Sequence, residues 1–149
     1  MKLRFLVLCV FLFCSGAAPA FEQEETFTDL TPGKDMLDPG RLSDLLRQND
    51  VRAMNNIALL WAKGYDGKQS FEEALRWWKE AAKRGYTVAM NNIGLLYANG
   101  HGVPQDYTEA FNWWHQSAFL GNAWAMNSVG DLYENGFGTS RNLLMAMTW

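Results

Sequence analysis

One stretch of this chain repeats itself. Residues 53–88 read AMNNIALLWAKGYDGKQSFEEALRWWKEAAKRGYTV, and residues 89–124 read AMNNIGLLYANGHGVPQDYTEAFNWWHQSAFLGNAW. Aligned without gaps, the two are identical at 16 of 36 positions; ordinary residue frequencies give roughly 2–3 by chance. A third, shorter copy runs AMNSVGDLYENGFGTSRNLLMAMTW over 125–149, where Trp149 falls in register with Trp113. A fixed period of this length means a stacked array, in which one unit cannot cover its own apolar face and neighbours bury it jointly.

Each unit reads as two antiparallel helices. Ala89, Ile93, Leu96 and Tyr97 recur at i, i+4, i+7 and i+8, one face of a helix. Gly100-His101-Gly102 supplies the backbone freedom a stop requires. Asp106 then stands at a helix start with Glu109 three residues on, as Ser70 and Glu73 do one unit earlier; that spacing predicts a reciprocal capping box. Asn142 takes the same cap position in the third unit. Tyr107, Ala110, Phe111, Trp114 and Ala118 form the apolar stripe of the second helix, which Gly121 ends as Gly85 ends its predecessor. Alanines at 53, 89 and 125, and again at 74, 110 and 146, face large aromatics, letting helices approach closely without voids. The sequence therefore predicts an all-α solenoid of two-helix units: 53–88, 89–124 and an incomplete 125–149. Residues 41–52 lead into the array, with Leu42, Leu45 and Leu46 on one face of a short helix. No polar capping helix is evident after the third copy, so further units are expected beyond Trp149.

The segment before the array has a different character. Lys2 and Arg4 precede an apolar run from Phe5 to Phe13 and small residues ending in Ala18-Pro19-Ala20. This order describes a secretory signal over 1–20, cleaved after Ala20. The run falls well short of the ~20 apolar residues a membrane span needs. Residues 21–40 are acidic, hold Pro32 and Pro39, and read as an N-terminal arm without a sustained period. Both cysteines, Cys9 and Cys14, lie in the signal. The mature chain thus enters an oxidising compartment, periplasmic or extracellular, with no disulfide and no thiol chemistry. Without Lys2 and Arg4 the chain keeps 11 basic residues against 16 acidic ones, a net charge of −5. Nucleic acid is not expected as a partner, since it rewards clustered Lys and Arg.

Residues 89–114, AMNNIGLLYANGHGVPQDYTEAFNWW, resemble the Sel-one-like repeat, a relative of the tetratricopeptide repeat. The likeness spans 41–149. It implies a right-handed superhelix with a concave groove used as an adaptor surface. The first loop departs from the family pattern, with Tyr65-Asp66-Gly67 in place of Gly-x-Gly-Val. Cysteine-rich secreted members, some linked to penicillin-like compounds, hold two cysteines per unit; this mature chain has none, so neither their disulfides nor that activity transfers.

The same resemblance places groove positions at Arg52, Asn55, Leu59, Ala62 and Lys63. One unit on they are Val88, Asn91, Leu95, Ala98 and Asn99, and then Trp124, Asn127, Asp131, Glu134 and Asn135. Asn55, Asn91 and Asn127 form a ladder whose amides suit an extended peptide backbone. Asn99 and Asn135 fall at the groove edge, and Trp124 offers an aromatic anchor. The competing reading has these amides, or their neighbours Asn56 and Asn92, satisfying local backbone groups and Trp124 packing on the preceding unit. Trp78 and Trp114 belong to the apolar stripe and read as core. His101 and His115 stand fourteen residues apart and make no metal site. No catalytic constellation and no cofactor site is found. A protein or peptide partner is the first expectation, a cell-wall glycan or muropeptide the second, and hydrolase activity the last.

Overall fold

In a computed structural model, residues 44, 46–48, 50–64 and 68–149 are described. The expected signal and acidic arm, and the segment Tyr65-Asp66-Gly67, lie outside these residues. Among the described residues, the helices from Val51 onward are α1 (Val51–Lys63), α2 (Phe71–Ala82), α3 (Thr87–Asn99), α4 (Tyr107–Phe119), α5 (Ala123–Asn135) and α6 (Leu143–Thr148). No strand occurs among the described residues. The fold is an all-α helical repeat in which each helix packs on the next. α1 and α2, α3 and α4, and α5 and α6 form three successive pairs. Leu46, ahead of α1, packs on the first core cluster.

The second helix of each pair starts as its cap residue dictates. Ser70 accepts from the Glu73 amide, Asp106 from Thr108 and Glu109, and Asn142 from Met145. The reciprocal half of the capping box does not form. Instead the cap residue's own N–H crosses to the preceding helix: Ser70 N to Trp61 O, Asp106 N to Tyr97 O, and Asn142 N to Tyr133 O, at 3.0, 2.8 and 2.8 Å. The residue before the cap adds a second hook. Gln69 Nε2 donates to Ala62 O (2.8 Å), Gln105 Nε2 to Ala98 O (2.8 Å), and Arg141 Nε to Glu134 O (2.9 Å). These donors reach carbonyls at the end of the first helix, which have no partner inside it. The Glu at the third position is thereby released from backward capping, and Glu73 pairs with Arg76 at 2.7 Å.

Two core clusters arise, one around Trp78 and one around Trp114. Both indoles are fully buried, while Trp77 and Trp113 are half-buried. The units lock together through aromatic stacks at equivalent places. Phe71 stacks on His101 (4.9 Å between centroids) and Tyr107 on Phe137 (5.2 Å). Gly102 and Gly138 make these stacks reachable, since each has a positive φ and lies where a Cβ would strike Phe71 or the Tyr107 backbone.

Candidate functional site

The first helices carry every predicted groove residue, and burial divides that set in two. Asn55 and Asn91 are 1% and 6% exposed. The expectation that they line an open groove is corrected: they lie inside the packed array. Leu59, Leu95, Ala62 and Ala98 are buried with them, so these positions leave the groove as well. Asn127 and Asn135 are exposed; Asn99 and Trp124 are half-buried; Arg52 and Lys63 are exposed at the first unit.

Asn55 is buried because it serves the neighbouring helices. Its Oδ1 accepts from Trp78 Nε1 at 2.9 Å and from Asn92 Nδ2 at 3.2 Å. One side chain thus joins both helices of its own unit to the first helix of the next. The Asn91 amide donates to Asn122 Oδ1 (2.9 Å), and Asn122 in turn caps α5 through the Ala125 N–H and donates to Thr87 Oγ1. Both amides keep one buried atom unpaired among the described residues, Asn55 Nδ2 and Asn91 Oδ1.

A single methyl group separates the two indole seats. Ala58 and Trp78 are buried in one cluster, and the Trp78 N–H meets the Asn55 side chain. The equivalent of Ala58 is Gly94, and a Cβ there would come within 2.3 Å of Trp114 Nε1. Trp114 takes the space over Gly94 and donates to the Asn91 backbone carbonyl (3.1 Å) rather than to the side chain. This explains why Asn91 Oδ1, the counterpart of the acceptor used by Trp78, is left unpaired.

Asn127, the third-unit equivalent of Asn55 and Asn91, is exposed. Trp124 begins α5 and turns its ring edge-on to Trp114 (5.5 Å, 76° between planes), so it both packs on the preceding unit and keeps part of its surface accessible. Asn127 follows one turn later. Asn135 ends the helix, with its Nδ2 donating to Asp131 O (2.8 Å). Asp131 lies at the surface, where partial desolvation and the nearby Glu134 charge raise its carboxyl above its ordinary value.

The histidines sit in ring contacts, His101 on Phe71 and His115 between Phe111 (5.5 Å) and Trp149 (5.1 Å). Among the described residues no three His, Cys, Asp or Glu side chains are grouped as a metal site. No helix there is long and apolar enough to cross a membrane. Sequence reasoning missed the inter-unit role of Asn55. The available signal was the pairing of Asn55 with Trp78 and Asn91 with Trp114 at a constant offset, which marks partners rather than independent features.

A Sel1 repeat family model matches residues 51–86, 87–122 and 125–149, a phase two residues earlier than the units drawn from the sequence for the first two copies. A Sel1 repeat protein from Oxalobacter formigenes shares 31% identity at a TM-score of 0.67, over 74% of this chain and 83% of that one. A protective antigen of uropathogenic Escherichia coli with an SLR fold shares 29% identity at a TM-score of 0.69. That match covers 74% of this chain but 24% of the antigen. Cysteine rich protein B of Helicobacter pylori, at 17% identity and a TM-score of 0.57 over 72% of this chain and 82% of that one, shares the fold. No curated protein sequence matches the chain. With three matched copies and the helix pairs that go with them, the chain belongs to the Sel1 repeat family, whose members are generally protein–protein interaction scaffolds and typically non-catalytic.

Proposed function

We propose that this chain is an exported scaffold that binds a protein or peptide segment along its first helices, at Asn99, Trp124, Asn127 and Asn135. The observation that carries this is the contrast within the amide ladder. Asn55 and Asn91 are buried and bonded to the protein's own groups, whereas Asn127 and Asn135 stand exposed on one helix with Trp124 a turn before. Amides read a peptide backbone, and a partly desolvated Trp is the kind of residue that dominates an interface. Export rests on the basic, apolar and small-residue order of residues 1–20.

The test uses the full chain as bait, with Trp124→Ala and Asn127→Ala alongside once circular dichroism shows both folded. An anchoring aromatic is worth at least about 2 kcal/mol, so Trp124→Ala is expected to cut partner recovery by an order of magnitude, and Asn127→Ala by less. Unchanged recovery with both variants would remove the first-helix surface from the account.

A further inference from the structure

We propose that the rim of the array carrying the α2–α3 and α4–α5 turns docks edge-on on an anionic lipid surface. Phe119 and Leu120 enter the headgroup layer, and basic side chains of the same rim meet the lipid phosphates. This goes beyond the scaffold reading, which concerns the first helices.

Two large apolar side chains stand at a turn on this rim. Phe119 ends α4 and Leu120 follows it, 80% and 53% exposed. One unit earlier the same two places hold Lys83 and Arg84. That earlier turn shows what happens to the rim when a complete pair is stacked on. The whole of α3 and α4 follows Lys83, and 68% of its side chain is still exposed. The turn glycines agree. Gly85 and Gly121 have nothing within 4 Å of a Cβ, whereas Gly64, Gly100, Gly102, Gly136 and Gly138, on the opposite rim, would each set one against a neighbouring residue. The openness around Phe119 and Leu120 therefore belongs to their place in the repeat.

Charge is divided between the two rims. First helices start and second helices end on this one, which brings Arg52, Lys79, Lys83 and Arg84 to it against Asp50 and Glu80. Arg52 pairs with Asp50, while Lys83 and Arg84 share Glu80, so the rim keeps a positive surplus. The opposite rim holds Glu72, Glu73, Asp106, Glu109 and Glu134 against Lys63, Lys68 and Arg141. The net charge of −5 gives no long-range pull toward an anionic membrane. The division nonetheless turns the basic rim toward one at close range, where lipid attraction acts.

Shape favours lipid over protein. Phe119 and Leu120 project from a turn rather than line a groove, and repetition sets equivalent turns in a row along one edge. A bilayer is a flat, yielding surface. It meets successive turns at once and takes projecting Phe and Leu without a preformed pocket. Apolar residues flanked by Lys and Arg are the pattern such an interface binds.

The experiment follows hydrogen exchange of the full chain by mass spectrometry, with vesicles of phosphatidylcholine alone or of phosphatidylcholine with phosphatidylglycerol. The readout is local because the apolar run of residues 1–20 is itself able to carry a chain to lipid. Vesicles with phosphatidylglycerol are expected to slow exchange over 116–122 and to leave 100–106, on the opposite rim, unchanged. Phe119→Ser/Leu120→Ser should abolish that protection. Arg52→Gln/Lys83→Gln should raise the lipid concentration that half-protects 116–122 by roughly tenfold or more, since one basic side chain near an anionic surface is worth about a factor of five. Lys63→Gln/Lys68→Gln, which removes the same charge from the opposite rim, should leave it unchanged. The proposal is overturned if neither vesicle protects 116–122, if both protect it equally, if protection survives Phe119→Ser/Leu120→Ser, or if the two lysine-containing pairs act alike. It also falls if the apolar pair serves protein. A dimer that Phe119→Ser/Leu120→Ser dissolves in sedimentation would give the pair to a second copy, and loss of partner recovery by that variant without vesicle protection would give it to the bound partner.

Discussion

Trp114→Ala is expected to lower the unfolding free energy by roughly 3–5 kcal/mol, the range for truncating a fully buried Trp. The indole is completely buried in the second cluster, against Gly94 of α3. Its removal leaves a cavity in the middle of the array and takes away the second hydrogen bond of Asn91 O, which the indole supplies. Urea unfolding followed by far-ultraviolet circular dichroism measures the loss. Gly94→Ala is a milder companion in the same experiment, at about 1–3 kcal/mol for overpacking. Its added methyl displaces the Trp114 ring from the space over residue 94. The unpaired Asn91 Oδ1 offers the displaced indole an alternative acceptor. A loss as large as that of Trp114→Ala would show that the second seat cannot be exchanged for the first.

Gly138→Ala is expected to cost roughly 2–5 kcal/mol, combining a left-handed backbone for a residue with a side chain and a collision in the packed array. Gly138 has a φ of 67°. A Cβ there would lie 2.0 Å from Tyr107 O and 2.2 Å from its carbonyl carbon. Those atoms are helix backbone and cannot step aside as a side-chain tip can. Gly85 is the useful control: its φ is 80°, but nothing lies within 4 Å of a Cβ. Gly85→Ala should therefore pay only the backbone cost, about 1–2 kcal/mol. Thermal melts of the two variants separate the terms. Equal losses would mean that the Phe137 loop, held through Tyr107, contributes nothing to the junction of the second and third units.

The helical pairing was legible because period, stop glycines and cap residues agree across the copies. Ser70, Asp106 and Asn142 cap the helices the sequence assigns to them, and Trp78 and Trp114 fill the cores. The hooks at Gln69, Gln105 and Arg141 were not legible. Their residue types differ, and what recurs is the carbonyl they reach. The groove assignment went astray for a related reason. An Asn on a first helix looks polar and therefore outward, yet in a solenoid each unit is buried by the next, so positions that face along the stack are interior even when their side chains are amides. Asn55 and Asn91 lie on that line. Asp131 shows the converse: a position buried as leucine in two units becomes exposed and charged in the third, a change that a comparison of copies reveals and a scan for hydrophobic periodicity does not.

The division of the amide ladder is the claim on which the rest depends, and one pair of variants tests it most directly. Asn55→Ala and Asn127→Ala change equivalent positions, one buried between units and one exposed on α5. Urea unfolding is expected to show a loss of about 1–3 kcal/mol or more for Asn55→Ala, because Trp78 Nε1 and Asn92 Nδ2 are left as buried donors without an acceptor. Asn127→Ala should stay within about 0.5 kcal/mol, as surface changes do. Similar small losses from both would contradict the account, returning Asn55 to an open groove and removing the interior network that ties the first unit to the second.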